Sequence, residues 1–246
     1  MSYSNTDSIS KENLNYYLNE LSKEYRKLGG KNYPAEIVLI GGAAILANYG
    51  FRETTTDIDA ILPSISIMKE AINHITDKHH LPEGWLNNDF MKTKSYSPKL
   101  AQYSLPYKEF NHVLSVRIVM PEYLIAMKLK SGRKYKYDLS DIVGILEEQS
   151  AKGNPLSLTV IKKAYIDLYG SWNNLTTYAR KFIESIVNRD DYRRMYDQTR
   201  ENEKAAKSDL DQFEAEYPNV INEKNIDEII ENFKSSYREE PDDIII

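Results

Sequence analysis

The stretch IVLIGGAAILANYGFRETTTDIDAILP, residues 37–63, decides how the rest of the chain is read. An apolar run leads into Gly41-Gly42, a short helix follows, and after a polar connection a second apolar run carries Asp57 and Asp59 in alternation with Ile58 and Ala60. Successive strand side chains point to opposite faces, so Asp57 and Asp59 project from one face, a short distance apart. Two carboxylates so placed repel each other. A divalent cation between them removes the conflict, because hard cations such as Mg²⁺ are held by one or two carboxylates together with phosphate oxygens. The glycines offer the complementary half. At a strand-to-helix turn they let backbone amides approach an anion, and the helix N-terminus adds a favourable dipole. Gly-Gly by itself is a weak signal and reads more readily as a tight turn that lets helix and strand pack closely.

Upstream of this stretch, residues 1–9 read as disordered. Ser10 then caps a helix over KENLNYYLNELSKEYRKL, whose Leu14, Tyr17, Leu18, Leu21 and Tyr25 share one face and which ends at Gly29-Gly30. Downstream, Pro63 and Ser64 stop the second strand and a helix over 66–76 follows. His74, His79 and His80 lack a further ligand at helical spacing and read as a solvated helix end rather than a metal site. Residues 81–106 are the least regular part, with Trp85-Leu86-Asn87 as a core anchor. The alternation in HVLSVRIVM predicts a third strand with Leu114, Val116 and Ile118 on one face and Ser115 and Arg117 on the other.

Pro121 opens the helix PEYLIAMKLKSG, in which Lys128 falls inside the apolar stripe, between Leu124 and Ile125 on the helical wheel. A lysine there must snorkel to water or meet a negative partner. The next helix, DLSDIVGILEEQ, begins at Asp138. Two readings stay open for Asp138, a cap answered by Asp141 as in a capping box and a place in a site, and the first would not exclude the second. Lys130, Arg133, Lys134 and Lys136 form a positive run that is either a solvated helix end or a steering patch for polyphosphate or RNA. AKGNP, residues 151–155, has the composition of a linker, and everything beyond it reads as helices over 157–169, 175–187, 190–217 and 226–236. The tail EEPDDIII is either disordered or docked on the body or a partner. Nothing in this second half reads as a catalytic constellation.

Composition sets outer limits. At 246 residues the chain holds one large domain or two small ones. No apolar run approaches the roughly 18 residues of a membrane span, and the polar start lacks the regions of a signal peptide, so the expectation is a cytoplasmic protein without membrane contact. The absence of cysteine excludes disulfides and zinc–thiolate sites. A net charge of −5 excludes a general nucleic-acid coat, so any nucleic-acid contact must come from a local basic patch.

The combination of motifs points to a family. Ile40-Gly41-Gly42-Ala43 with the short helix behind it, and Arg52-Glu53-Thr54-Thr55-Thr56-Asp57-Ile58-Asp59, resemble the signature of the nucleotidyltransferase superfamily that includes DNA polymerase beta. Met127-Lys128-Leu129-Lys130-Ser131-Gly132-Arg133 and Asp138-Leu139-Ser140-Asp141-Ile142 resemble the third and fourth motifs of its AbiEii-type branch, whose members are bacterial toxins of toxin–antitoxin and abortive-infection systems. The resemblance implies an α+β fold: a polymerase-beta-like domain over 1–150, with a mixed sheet flanked by helices, followed by a helical bundle over 151–246.

It also implies a mechanism. The amides of Gly41 and Gly42, with Arg52 and Thr56, would hold a nucleoside triphosphate, and Asp57 and Asp59 would bind Mg²⁺ (or Mn²⁺). Lys128 would neutralise phosphate charge with help from Arg133, and Asp138 would act either as a base on the acceptor hydroxyl or by orienting Lys128. The chemistry is in-line attack on the α-phosphate with loss of pyrophosphate. The acceptors of such enzymes include the 3′ ends of tRNAs, so RNA and a cognate antitoxin are the expected partners. One departure stands out: the strand carrying Ser115 and Arg117 lacks the third carboxylate of many superfamily members, so a second metal depends on Asp138 or Glu122. The competing readings are a small-molecule nucleotidyltransferase of the aminoglycoside-modifying kind and a degenerate binding or regulatory protein. Retention of Asp57, Asp59 and Lys128 counts against the latter.

Overall fold

The computed structural model describes residues 8–222 and 225–236. A two-residue strand β1 (Ile9–Ser10) precedes α1 (Lys11–Lys27), which starts where the Ser10 hydroxyl accepts the Asn13 amide at 3.3 Å and buries Leu14, Leu18, Leu21 and Tyr25. There follow β2 (Ala35–Leu39), α2 (Gly41–Asn48), β3 (Thr54–Thr55), β4 (Ile58–Ile61), α3 (Ser66–His79), β5 (Leu86–Asn87), β6 (Ser104–Phe110) and β7 (Leu114–Val119). Then come α4 (Pro121–Ser131), α5 (Asp138–Ala151), α6 (Leu158–Tyr169), α7 (Thr177–Ile186), α8 (Tyr192–Glu216) and α9 (Ile226–Ser236).

The fold is α+β, with a mixed five-stranded sheet in the order β5-β4-β2-β7-β6. The centre is β2, antiparallel to β4 and parallel to β7, and its Ile37, Val38 and Leu39 are all buried, as expected of a strand covered on both faces. α1 packs on α3, α4 on α5 and α6, and α5 on α8. One apolar core runs from α1 through the sheet into α4 and α5, and continues through Ile161 and Tyr165 of α6 and Ile183 of α7 to Tyr196 of α8. A second, small cluster joins Ala206 and Leu210 of α8 to Ile229 and Ile230 of α9. Among the described residues no helix is long and apolar enough to cross a membrane.

Three expectations need correction. Ile9 is not part of a disordered leader: it is buried and its strand pairs with β3, Ile9 opposite Thr55. The region over 81–106 holds β5 and the start of β6, and β6 was missed because it is an edge strand. Residues 105–109 are exposed or half-buried, so no apolar alternation marks them, and Pro106 sits at an irregularity of the ladder where an edge tolerates it. Finally, Asp138 does not cap α5; Tyr137 stands at the cap position without a side-chain hydrogen bond. Trp85 does anchor the core, donating its indole N–H to Thr76 Oγ1 at 3.0 Å. The tail EEPDDIII lies outside the described residues.

Candidate active site

The first half of the site is the turn from β2 into α2. Gly41 has φ +54°, a conformation that L side chains rarely adopt, and the cap residue Ile40 supplies no side-chain acceptor to the first-turn amides. A Cβ on Gly41 would lie 3.2 Å from Asp59 Oδ2, and one on Gly42 would strike Thr55 Oγ1 at 2.7 Å and Arg52 Nη2 at 2.8 Å. The two readings of Gly-Gly therefore merge. The glycines allow close packing, and what packs against them is the side chains that the sequence singled out.

Asp57 stands one residue before β4 and Asp59 within it. Both border two adjoining cavities, of about 250 and about 640 Å³, which also share Gly41, Lys128, Arg133 and Lys136. Asp57 accepts hydrogen bonds from Thr56 Oγ1 at 3.2 Å and Asn87 Nδ2 at 3.3 Å. Burial, then the neighbouring Asp57 charge, pushes the Asp59 carboxyl up to about 6, against the weaker opposing pull of Lys128 and Arg133. Asp89 borders the smaller cavity and raises Asp59 further. Among the described residues no group of three or more His, Cys, Asp or Glu is placed to hold a metal. Two hard carboxylates facing the start of a helix nevertheless suit Mg²⁺, which keeps waters and phosphate oxygens in its shell. Ser115, Arg117 and Glu122 border neither cavity, and Arg117 donates to Ser104 Oγ at 2.8 Å within the β6–β7 pair.

The second half is a buried ion network. Lys128, 7% exposed, donates to Asp138 Oδ1 at 2.9 Å and to Asp141 Oδ2 at 2.8 Å, so the lysine in the apolar stripe has met negative partners. Arg52 Nη1 reaches Asp141 Oδ2 at 2.7 Å, and Arg133 Nε reaches Asp138 Oδ2 at 2.9 Å. Both carboxylates are fully enclosed. Burial pushes Asp138 upward, but Lys128 and Arg133 overrule it and hold the carboxyl at about 2. Burial likewise opposes the Lys128 charge, while Asp138 and Asp141 carry its pKa above the ordinary lysine value. Three cations thus face two anions, and Lys128 and Arg133 border both cavities. This explains why the capping-box expectation fails: Asp138 and Asp141 are committed to cations, and Arg133 even turns its backbone amide to Asp138, at 3.3 Å.

Sequence reasoning missed what the C-terminal helices contribute. Glu203 of α8, 1% exposed, accepts the Leu139 amide at 2.8 Å, the Ser140 amide at 3.3 Å and the Ser140 hydroxyl at 2.5 Å, and so caps α5 from outside. Burial raises its carboxyl to about 7. Lys207, Asp211 and Glu214 of the same helix line the larger cavity. Positions 200, 203, 207, 211 and 214 recur at helical spacing, which was the available signal. The positive run from the end of α4 into the following turn does not act as one patch. Lys130 lies over the Tyr169 ring, Lys134 pairs with Glu231, and Lys136 borders the cavities.

A family model described as "Nucleotidyltransferase of unknown function (DUF6036)" matches residues 16–207, a span that contains both halves of the site and ends four residues beyond Glu203. Comparison with curated proteins and with solved structures finds no match. The chain belongs to this nucleotidyltransferase family.

Proposed function

We propose that the protein transfers a nucleoside monophosphate from a nucleoside triphosphate to an acceptor hydroxyl with release of pyrophosphate, and that the acceptor is the 3′ end of an RNA, as in AbiEii-type toxins. The supporting observation is the convergence of the α2 N-terminus, the Asp57/Asp59 pair and the Arg52–Lys128–Arg133 cations on two adjoining cavities. The Gly41 and Gly42 amides, with Arg52 and Thr56, bind the triphosphate. Asp57 and Asp59 would hold Mg²⁺, which supplies charge neutralisation at the reacting phosphate. Lys128 and Arg133 contribute the excess positive charge of their network toward the same phosphates. Of the two roles for Asp138, orientation of Lys128 is favoured, since its oxygens are engaged and its carboxyl is held at about 2, far from a general base.

A second reading has its own support. Asp211 and Glu214 on the wall of the larger cavity suit a small cationic acceptor of the aminoglycoside kind better than a polyanion. One experiment separates the two. The protein is incubated with Mg²⁺ and each labelled nucleoside triphosphate, with total tRNA in one arm and an aminoglycoside in the other. Label in tRNA supports the leading reading, and label in the aminoglycoside alone replaces it. The Asp57→Ala/Asp59→Ala variant is expected to lose transfer by more than about a hundredfold, beyond the usual loss of an outer-shell partner. Equal transfer by that variant would remove the assigned site.

A further inference from the structure

The network around Lys128 depends on Asp138 staying away from the helix end that it begins. Asp138 is the first residue of α5, where a helix end offers amides without intrahelical partners that compete for a carboxylate. The backbone makes the alternative attractive. Tyr137 precedes α5 at φ +60°, a strained conformation for a residue of its size. If α5 began one residue later, Tyr137 would be released and Asp138 would become the cap, with its carboxylate on the amides of Ser140 and Asp141 instead of on Lys128.

Two side chains of α8 oppose that shift. Glu203 occupies the amides of Leu139 and Ser140 and the Ser140 hydroxyl, as described above, leaving the first turn without need of a local cap. One helical turn earlier, the Arg200 guanidinium lies 3.4 Å from the centre of the Tyr137 ring and reaches Ser140 Oγ at 3.5 Å, holding the strained residue in place. Burying a carboxylate costs stability unless donors satisfy it, and here the donors are the helix end itself.

We propose that Glu203 is a positioning residue of the transfer centre: by capping α5 from α8 it releases the Asp138 carboxylate to hold Lys128 and Arg133. This rests on the transferase function proposed above. Glu203 borders neither cavity, so it acts through Asp138 and not by touching substrate.

The test combines structure and kinetics on the full chain. In a crystal structure of Glu203→Ala, Asp138 is expected on the Ser140 and Asp141 amides with its contact to Lys128 lost. The kcat/KM for the nucleoside triphosphate falls about ten- to a hundredfold, the range for losing a group that orients another. Glu203→Gln keeps the chain length and one acceptor oxygen and restores most of the activity. Introduced into an Asp138→Asn background, Glu203→Ala adds less than twofold, whereas a merely structural role would add its full loss there. Should Glu203→Ala not fold, Glu203→Asp, one methylene too short to cap, takes its place in each arm. Asp138 still bonded to Lys128 in the variant, unchanged kcat/KM, or full additivity with Asp138→Asn would each overturn the proposal. If the wild type transfers no nucleotide, the transferase reading fails, and the position of Asp138 in the variant structure still decides the positioning role.

Discussion

Asp59 carries the sharpest conflict of any single residue in the site. It is held among buried groups, faces a second carboxylate, and its carboxyl is raised to about 6 from an ordinary value of 3.8. The native state therefore binds more protons than the unfolded chain between those values. Its contribution to stability is full below 3.8 and is lost as the pH rises through 6. A cation reverses the preference, because a proton and Mg²⁺ compete for the same oxygens. Apparent Mg²⁺ affinity is accordingly expected to rise with pH through about 6 and to level off above it. Metal titration followed by tyrosine and tryptophan fluorescence across that range checks this, and Asp59→Asn should flatten the profile. An affinity independent of pH would place the metal elsewhere. The carboxylate pair was legible in sequence because strand alternation fixes which residues share a face. Asn87 and Asp89 were not, since a two-residue strand and a 3₁₀ turn carry no period to read.

At the scale of elements, the turn between β2 and α2 couples the two halves of the site through Arg52. That guanidinium touches the space above Gly42 and also pairs with Asp141 at 2.7 Å. Gly42→Ala would push Arg52 off Asp141 Oδ2, leaving that buried carboxylate with Lys128 as its remaining cation. The expected loss is about 1–3 kcal/mol of stability, the usual cost of overpacking, and denaturant melts measure it. Nucleotide affinity should fall with it, while a purely local strain would leave binding intact. Elements with strong periodicity or clear caps emerged from the sequence at nearly their true bounds: α1 from its Ser10 cap, α4 from Pro121, β7 from its alternation. The start of α5 was legible as a boundary but its cap was not, because the capping group lies more than sixty residues away on α8. Local rules favour Asp138 there, and tertiary contacts overrule them.

For the whole molecule, the sequence conveys the order of an α+β half and a helical half, but not how the second completes the first. The linker-like stretch 151–155 overlaps the end of α5, the connection to α6 runs over 152–157, and buried side chains continue across it without a gap. α8 reaches back over the α5 terminus and walls the larger cavity. Such placement depends on packing between distant segments, about which composition and periodicity are silent.

The small apolar cluster between α8 and α9 has one more consequence. Ile229 and Ile230 of α9 rest on Ala206 and Leu210 of α8 with Tyr135 beside them, and Lys134 pairs with the exposed Glu231 at 2.9 Å, a small fastening beside the main core. The backbone amides of α9 should therefore exchange with deuterium far faster than those of β2 or α4, through an opening that leaves global stability untouched. Mass spectrometry of exchanged peptides checks this, and protection of α9 equal to that of β2 would refute it. Ile221 and Ile226 border the larger cavity at this same end. Its volume of about 640 Å³ would therefore widen each time α9 opens, because Ile226 is part of its wall.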